Sequence, residues 1–200
     1  STGGRPGSDF VRVVSRIFDG QDRPKVETIS AFRQIRPGVD ELGNHSNDGT
    51  GLIERLDALR GPDAAHYADR EKFNSIQNFV RAVLDDPHLQ IDIPSSRNTI
   101  NIIQGGNDRP LPLENMGTGV HQGVILAAAA TLLTDTLICM EEPEIHLHPI
   151  LQRKLLRYLA EETTNQYLIA THSAHMLDSS LASIFHVSMT ERGSVIRPAL

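Results

Sequence analysis

Apolar residues recur along the chain at spacings that change character near residue 115. Phe10, Val13, Val14, Ile17 and Phe18 fall at helical intervals, and Asp19-Gly20 ends that run. Residues 26–35 have strand-like content and stop at Pro37-Gly38, and residues 39–51, rich in Gly, Asn, Asp and Ser, predict a loop. A short helix over 52–60 is closed by Gly61-Pro62. A longer one over 65–84 sets Phe73, Ile76, Val80 and Val83 on one face and stops at Asp85-Asp86-Pro87. Residues 89–93 alternate, 99–103 predict a second strand, and Gly105-Gly106-Asn107-Asp108 turns the chain into a third at 111–113. Together these three strands form an antiparallel meander.

Beyond Asn115 the runs become continuous. Residues 120–133 are apolar on every side, as a helix enclosed by a core must be, and 136–140 form an unbroken apolar strand of the kind covered on both faces. Residues 149–162 are amphipathic, with Leu151, Leu155 and Leu159 on one stripe and a solvated face of Arg153, Lys154 and Arg157 opposite. A second buried strand is expected at 166–170, a short helix capped by Ser173 after it, and a further strand at 184–188. Strands alternating with helices imply an α/β fold, a parallel sheet flanked by helices with right-handed crossovers. The chain thus divides into a mixed helical and antiparallel segment, 1–113, and an α/β core, 114–200.

Two hundred residues suffice to bury a sizeable core. The net charge of −6 excludes a histone-like, nonspecific grip on nucleic acid. A single cysteine, Cys139, makes no internal disulfide, reads as inert core and fits a reducing, cytoplasmic setting. No apolar run approaches the roughly 20 residues of a membrane span, and nothing at the start reads as a signal peptide. Without an initiator Met, the sequence reads as a segment of something longer. Its 19 basic residues include only three lysines, Lys25, Lys72 and Lys154.

The chemistry concentrates between residues 116 and 173. An apolar strand ends in Glu141-Glu142, placing two carboxylates at the end of a parallel sheet where such folds bind ligands. The first suits Mg²⁺ and the second a water attacking phosphate. A second strand ends in Thr171-His172-Ser173, and if both strand ends share a crevice His172 reaches the same phosphate or water. Upstream, Met116-Gly117-Thr118-Gly119-Val120-His121-Gln122 opens the enclosed helix with small residues that let backbone N–H groups approach an anion.

In this order and spacing the three elements resemble the ATPases of the ATP-binding-cassette (ABC) superfamily, and among them the overcoming-lysogenization-defect (OLD) type and related DNA-repair and phage-defence ATPases. The resemblance covers 113–180. It implies the C-terminal portion of an ABC/RecA-like P-loop NTPase fold. Residues 116–122 would be the signature motif, 137–142 the Walker B strand, 143–149 the D-loop and 171–173 the switch-histidine loop; Ala31 to Gln34 would be the Q-loop region. It further implies ATP and Mg²⁺, not zinc, as cofactors, with Glu141 on the metal, Glu142 acting on the water and His172 sensing the γ-phosphate. Gly117, Thr118, Gly119 and Gln122 would meet the nucleotide of a second copy in a head-to-tail dimer. A helix over 65–84 would stand as a small arm beside the core, and a DNA partner would come through a nuclease domain.

The chain departs from the family pattern in one large respect. No Gly-x-x-x-x-Gly-Lys-[Ser/Thr] occurs, and none of the three lysines lies in a glycine-rich loop, so the phosphate cradle is expected in a separate lobe upstream. Glu141 stands where the superfamily prefers Asp, and Gly117 where the signature often has Ser. Two other readings stay open. His146 and His148 with Glu144 and His175 offer ligands for zinc in a metal-dependent hydrolase, although no His-Glu-x-x-His occurs. A catalytically silent dimerisation module would keep the fold without turnover. Arg33 and Arg36 flank a turn and are expected to make ordinary surface pairs.

Overall fold

The computed structural model describes residues 25–31, 33–36, 38, 47–62, 66–67, 69–106, 109–190 and 193–199. The helix expected at 10–18 and most of the loop at 39–51 lie outside these residues.

The main sheet is parallel, with β1 (Lys25–Ile29) on one side of β5 (Thr136–Glu141) and β6 (Gln166–Ala170) on the other. β1 is shorter than its apolar content suggested: the chain leaves the sheet at Ser30, and Ile29, level with Met140, is its last paired residue. β5 is central and largely buried, as its unbroken apolar run required. β6 corrects the expectation of a second buried strand. It lies at the sheet edge, and its residues alternate between exposed and half-buried. Asn165 sets the start of both strands: its Oδ1 accepts the Thr136 N–H at 3.0 Å, and its Nδ2 donates to the carbonyls of Ala130 and Leu133 at 2.7 and 2.8 Å.

Among the described residues, four α-helices accompany this sheet. α1 (Leu52–Arg60) buries Leu52, Ile53, Leu56 and Leu59 and stops at Gly61. α2 (Asp69–Leu84) buries Phe73, Ile76, Phe79 and Val80. That face packs into the core, with the Phe79 ring 4.9 Å from that of Tyr158, while the opposite face is exposed. Between α2 and the next helix runs the expected meander, β2 (Gln90–Asp92), β3 (Asn101–Ile103) and β4 (Leu111–Pro112), with Ile91 opposite Ile102.

α3 (Thr118–Leu132) is buried from Gln122 to Thr131. Its one buried hydroxyl, on Thr131, donates to Ala127 O at 2.7 Å and meets the Tyr158 hydroxyl at 2.6 Å. α4 (Pro149–Glu161) begins with Pro149, which needs no N–H there, and buries Leu151, Leu155 and Leu159 as the stripe required. Leu155, wholly buried, contributes about 1.5–3 kcal/mol by leaving water. Opposite it, Arg153 and Arg157 are exposed, while Lys154 reaches the Ala82 carbonyl at the end of α2. One hydrophobic core joins α1, α2, the meander, α3, β5 and α4, so it crosses residue 113.

The last expected strand forms, but in another sheet. β7 (Phe185–Thr190) pairs antiparallel with β8 (Gly193–Pro198) in a separate hairpin and does not join the parallel sheet. Gly193, at φ +120, takes up the turn.

Candidate functional site

Because β5 and β6 are adjacent, parallel and in register, with Glu141 level with Ala170, the turn leaving β5 and the loop leaving β6 emerge side by side. The ladder extends one residue further, with the Glu142 N–H donating to Ala170 O at 2.8 Å. Glu142 then turns sharply at φ +44, and His146 repeats the reversal at φ +65. Each left-handed non-glycine residue costs on the order of 1–2 kcal/mol, so this turn is held by its surroundings. Within it, Ile145 N–H donates to Glu142 O and Leu147 N–H to Glu144 O.

Glu142 Oε1 lies 3.5 Å from His172 Nε2. The His172 side chain is 94% exposed and the Glu142 side chain 31%, so the pair opens to solvent and is reachable by a ligand. Burial pushes the Glu142 carboxyl up, and the neighbouring Glu144 pushes it further, against the opposing charge of His172. A carboxylate so placed holds a proton more readily than one on an open surface. Glu141, the final residue of β5, is exposed.

Glu144 organises the loop beside it, which its sequence position in the turn did not disclose. Its Oε1 accepts three bonds, from the Thr171 hydroxyl at 2.5 Å, the His172 N–H at 2.8 Å and the Ser173 N–H at 3.0 Å. Burial alone would raise the Glu144 carboxyl; the Thr171 hydroxyl and the backbone donors outweigh it and hold the group below its ordinary value. From the other side, Ser173 Oγ donates to Gln152 Oε1 at 2.6 Å, and Gln152 Nε2 donates to Leu147 O at 2.8 Å. Ser173 also caps the short 3₁₀ turn at Ala174–Met176, as expected. The loop carrying His172 is therefore fastened to the 143–148 turn at both ends. Gln152 escaped notice because, read locally, it is an ordinary polar residue.

The start of α3 abuts the same turn. Gly117 and Thr118 are exposed, and Gly117 adopts φ +87, which favours glycine. A Cβ on Gly119 would come within 2.7 Å of the His146 carbonyl oxygen, so only glycine fits that approach. Gln122 differs from its three companions. It is 9% exposed and faces Arg33, whose Nε donates to Gln122 Oε1 at 3.0 Å while Gln122 Nε2 donates to Arg33 O at 2.9 Å. Arg33 itself corrects the expectation of a surface pair, being only 2% exposed. Arg36 is exposed and donates to Gln34 Oε1 at 2.8 Å, an ordinary surface contact.

Mg²⁺ binds through one or two carboxylates completed by phosphate oxygens and water. The hard, exposed oxygens of Glu141 beside Glu142 suit that mode. Among the described residues, no three His, Cys, Asp or Glu side chains converge as a closed metal cage requires. His148 caps α4, its Nδ1 accepting the Ile150 N–H at 3.4 Å, and Glu144 is committed to the 171–173 loop. No helix among the described residues is long and apolar enough to cross a membrane.

Comparison with known proteins bears on this arrangement. The AAA ATPase domain family matches residues 28–177, which include both strand ends and the start of α3. The chain is similar to the Old nuclease of Escherichia phage P2, at 24% identity over 179 residues, covering 81% of this chain and 30% of that protein. The chain therefore spans under a third of that relative's length. Its fold is similar to SMC ATPase heads. One comes from a study of ATP-driven dimerization and DNA-stimulated activation of SMC ATPases (13% identity, TM-score 0.52, 74% of this chain and 88% of that one). Another is an SMC head bound to the C-winged helix domain of ScpA (15%, TM-score 0.52, 74% and 50%). A third is the SMC head domain from Thermotoga maritima (16%, TM-score 0.50, 74% and 52%). The chain belongs to the AAA ATPase domain family.

Proposed function

We propose that this module hydrolyses ATP to ADP and phosphate at the end of β5, with Glu142 and His172 as its catalytic residues. The observation that carries the reading is the 3.5 Å approach of Glu142 to His172 across two adjacent strand ends, open to solvent. Glu142 orients a water against the γ-phosphate and takes its proton, a role for which a raised carboxyl affinity is suited. His172 donates a hydrogen bond to a γ-phosphate oxygen. Glu141 would hold Mg²⁺, which when bound neutralises charge on the β- and γ-phosphates.

Residues 114–200 carry this hydrolysis core, and residues 1–113 belong to the arm and lobe of the same ATPase domain. With no lysine in a glycine-rich loop, the chain by itself holds ATP weakly and turns it over negligibly. A P-loop lobe supplies the phosphate cradle. A second copy, arranged head to tail, presents Gly117, Thr118 and Gly119 to the nucleotide, while Gln122 serves from within by holding Arg33. The phage relative, a nuclease by name, and the DNA-stimulated SMC ATPases support a coupled role in DNA processing, and antiphage defence follows from the motif resemblance alone. The missing cradle motif also favours a second reading, a silent dimerisation module. Phosphate release by the ATPase assembled with its P-loop lobe separates the two. Glu142→Gln is expected to lower turnover about 10²–10⁴-fold while ATP stays bound; unchanged turnover overturns the assignment.

A further inference from the structure

Between the end of β6 and the cap at Ser173 the chain crosses two residues, Thr171 and His172. The parallel ladder stops at Ala170, which is level with Glu141 and whose carbonyl accepts the Glu142 N–H at 2.8 Å. Ser173 is held from α4, its hydroxyl donating to Gln152 Oε1 at 2.6 Å. The His172 ring is 94% exposed, so little packs against it, and where it points is set by the main chain that carries it.

One oxygen gathers that main chain. Glu144 Oε1 accepts from the Thr171 hydroxyl at 2.5 Å, the His172 N–H at 2.8 Å and the Ser173 N–H at 3.0 Å, donors from consecutive residues. The Thr171 hydroxyl oxygen also accepts the Ser173 N–H at 3.0 Å, which closes the arc on itself. Successive backbone N–H groups turned toward one anion form a concave nest centred on its charge. A neutral acceptor makes hydrogen bonds roughly half as strong as a carboxylate does, so three donors on one atom call for the charge. Glu144 in turn stands in a fixed setting. Glu142 at φ +44 and His146 at φ +65 bracket it, Leu147 N–H donates to its carbonyl at 2.8 Å, and Gln152 Nε2 donates to Leu147 O at 2.8 Å.

We infer that Glu144 is a positioning residue for the hydrolysis: it draws Thr171, His172 and Ser173 onto one oxygen and so keeps the His172 ring facing Glu142, a role that rests on the catalytic reading of that pair. Glu144 itself acts on neither phosphate nor water. Its hold reaches the loop through two backbone donors and one side chain, the Thr171 hydroxyl. That hydroxyl is where the link can be cut without changing any charge beside Glu142.

Phosphate release by the ATPase assembled with its P-loop lobe tests the consequence for turnover. Thr171→Val keeps the shape and removes the hydroxyl, whereas Thr171→Ser keeps the hydroxyl. Thr171→Val is expected to lower kcat roughly tenfold with KM for ATP nearly unchanged, a usual size for coupling between interacting groups, and Thr171→Ser to retain most of the rate. In a His172→Ala background Thr171→Val is expected to lower kcat no further, because no ring is left to align. Equal losses with and without His172, or a serine variant as slow as the valine one, overturn the proposal.

Hydrogen exchange in the 200-residue chain, without nucleotide, tests the hold itself. Glu144→Gln is expected to speed exchange of the His172 and Ser173 amides roughly tenfold and to leave the β5 amides as they were. Unchanged exchange in the loop, or an equal rise throughout β5, overturns the proposal, since the second would mark a loss of overall stability. Should Glu144→Gln not fold, Thr171→Val takes its place in this measurement with the same two outcomes. If Glu142→Gln and His172→Ala both leave turnover unchanged, the hydrolytic reading falls, and exchange alone decides whether Glu144 holds the loop.

Discussion

Glu142 and His172 face each other, Oε1 to Nε2 at 3.5 Å, because their strands are parallel neighbours and each chain turns outward just past the last paired residue. The ring is almost wholly exposed, so this contact adds little to stability. His172→Ala is therefore expected to leave the unfolding midpoint within about 0.5 kcal/mol of the parent. In the assembled ATPase the same substitution is expected to lower phosphate release strongly. Denaturant unfolding and a turnover assay on the same variant check both halves.

Glu142 gives the opposite pattern. Burial and then the Glu144 carboxyl raise its folded-state affinity for a proton above the ordinary value of 4.5. A carboxyl raised in the folded state destabilises wherever it is ionised, and the effect fades as pH falls and both states become protonated. Glu142→Gln should accordingly raise the thermal midpoint at neutral pH, with the gain vanishing in acid. Thermal unfolding of both proteins across the acid range reads this directly. A carboxylate kept at a cost to stability is what a working group would show.

Gly119 and Gly123 make a controlled pair on α3. Alanine in a helix ordinarily gains up to about 1 kcal/mol over glycine. At Gly123 the new Cβ meets Leu151 at 3.6 Å and Phe79 at 3.7 Å, ordinary contacts, so Gly123→Ala is expected to be neutral or stabilising. At Gly119 it meets the His146 carbonyl oxygen at 2.7 Å, and the backbone must move. Overpacking of this kind costs about 1–3 kcal/mol, so Gly119→Ala is expected to lower the midpoint. Equal effects at the two sites would contradict the close approach.

Asp86 supplies a pH dependence of its own. Its Oδ2 accepts the Gly105 N–H at 2.7 Å and its Oδ1 the His88 N–H at 3.0 Å, fastening the end of α2 to the turn after β3. The Gly105 bond, first among several, holds the carboxyl below its ordinary 3.8. With the folded value depressed, the contribution is complete above the unfolded value and is lost as pH falls through the folded one. Asp86→Asn is expected to be less stable at neutral pH, the difference closing in acid, as denaturant titrations at several pH values would show.

Much of the fold was legible because its period is local. The Leu151, Leu155 and Leu159 stripe of α4, the alternation at Ile91 and the unbroken run of β5 each announce their own burial within a few residues. Edge position does not, because Tyr167-Leu168-Ile169-Ala170 reads the same whether a neighbour lies on one side or both. Nor does pairing: Val187 reads as a strand residue, but its partner Ile196 is chosen by the hairpin rather than by the parallel sheet. The same division runs through the site. Glu142 and His172 stood out because each ends an apolar strand. Arg33 and Glu144 take other places than the surface pair and the zinc ligand their sequence positions suggest, since a buried arginine and a surface one look alike until the chain folds around them.

The central claim is that Glu142 and His172 border one pocket shaped for a triphosphate. A structure of the complete ATPase, with its P-loop lobe, a non-hydrolysable ATP analogue and Mg²⁺, measures it most directly. The account predicts a γ-phosphate oxygen about 3 Å from His172 Nε2 and a water bridging the γ-phosphate and Glu142. A nucleotide bound with both side chains out of reach would contradict it.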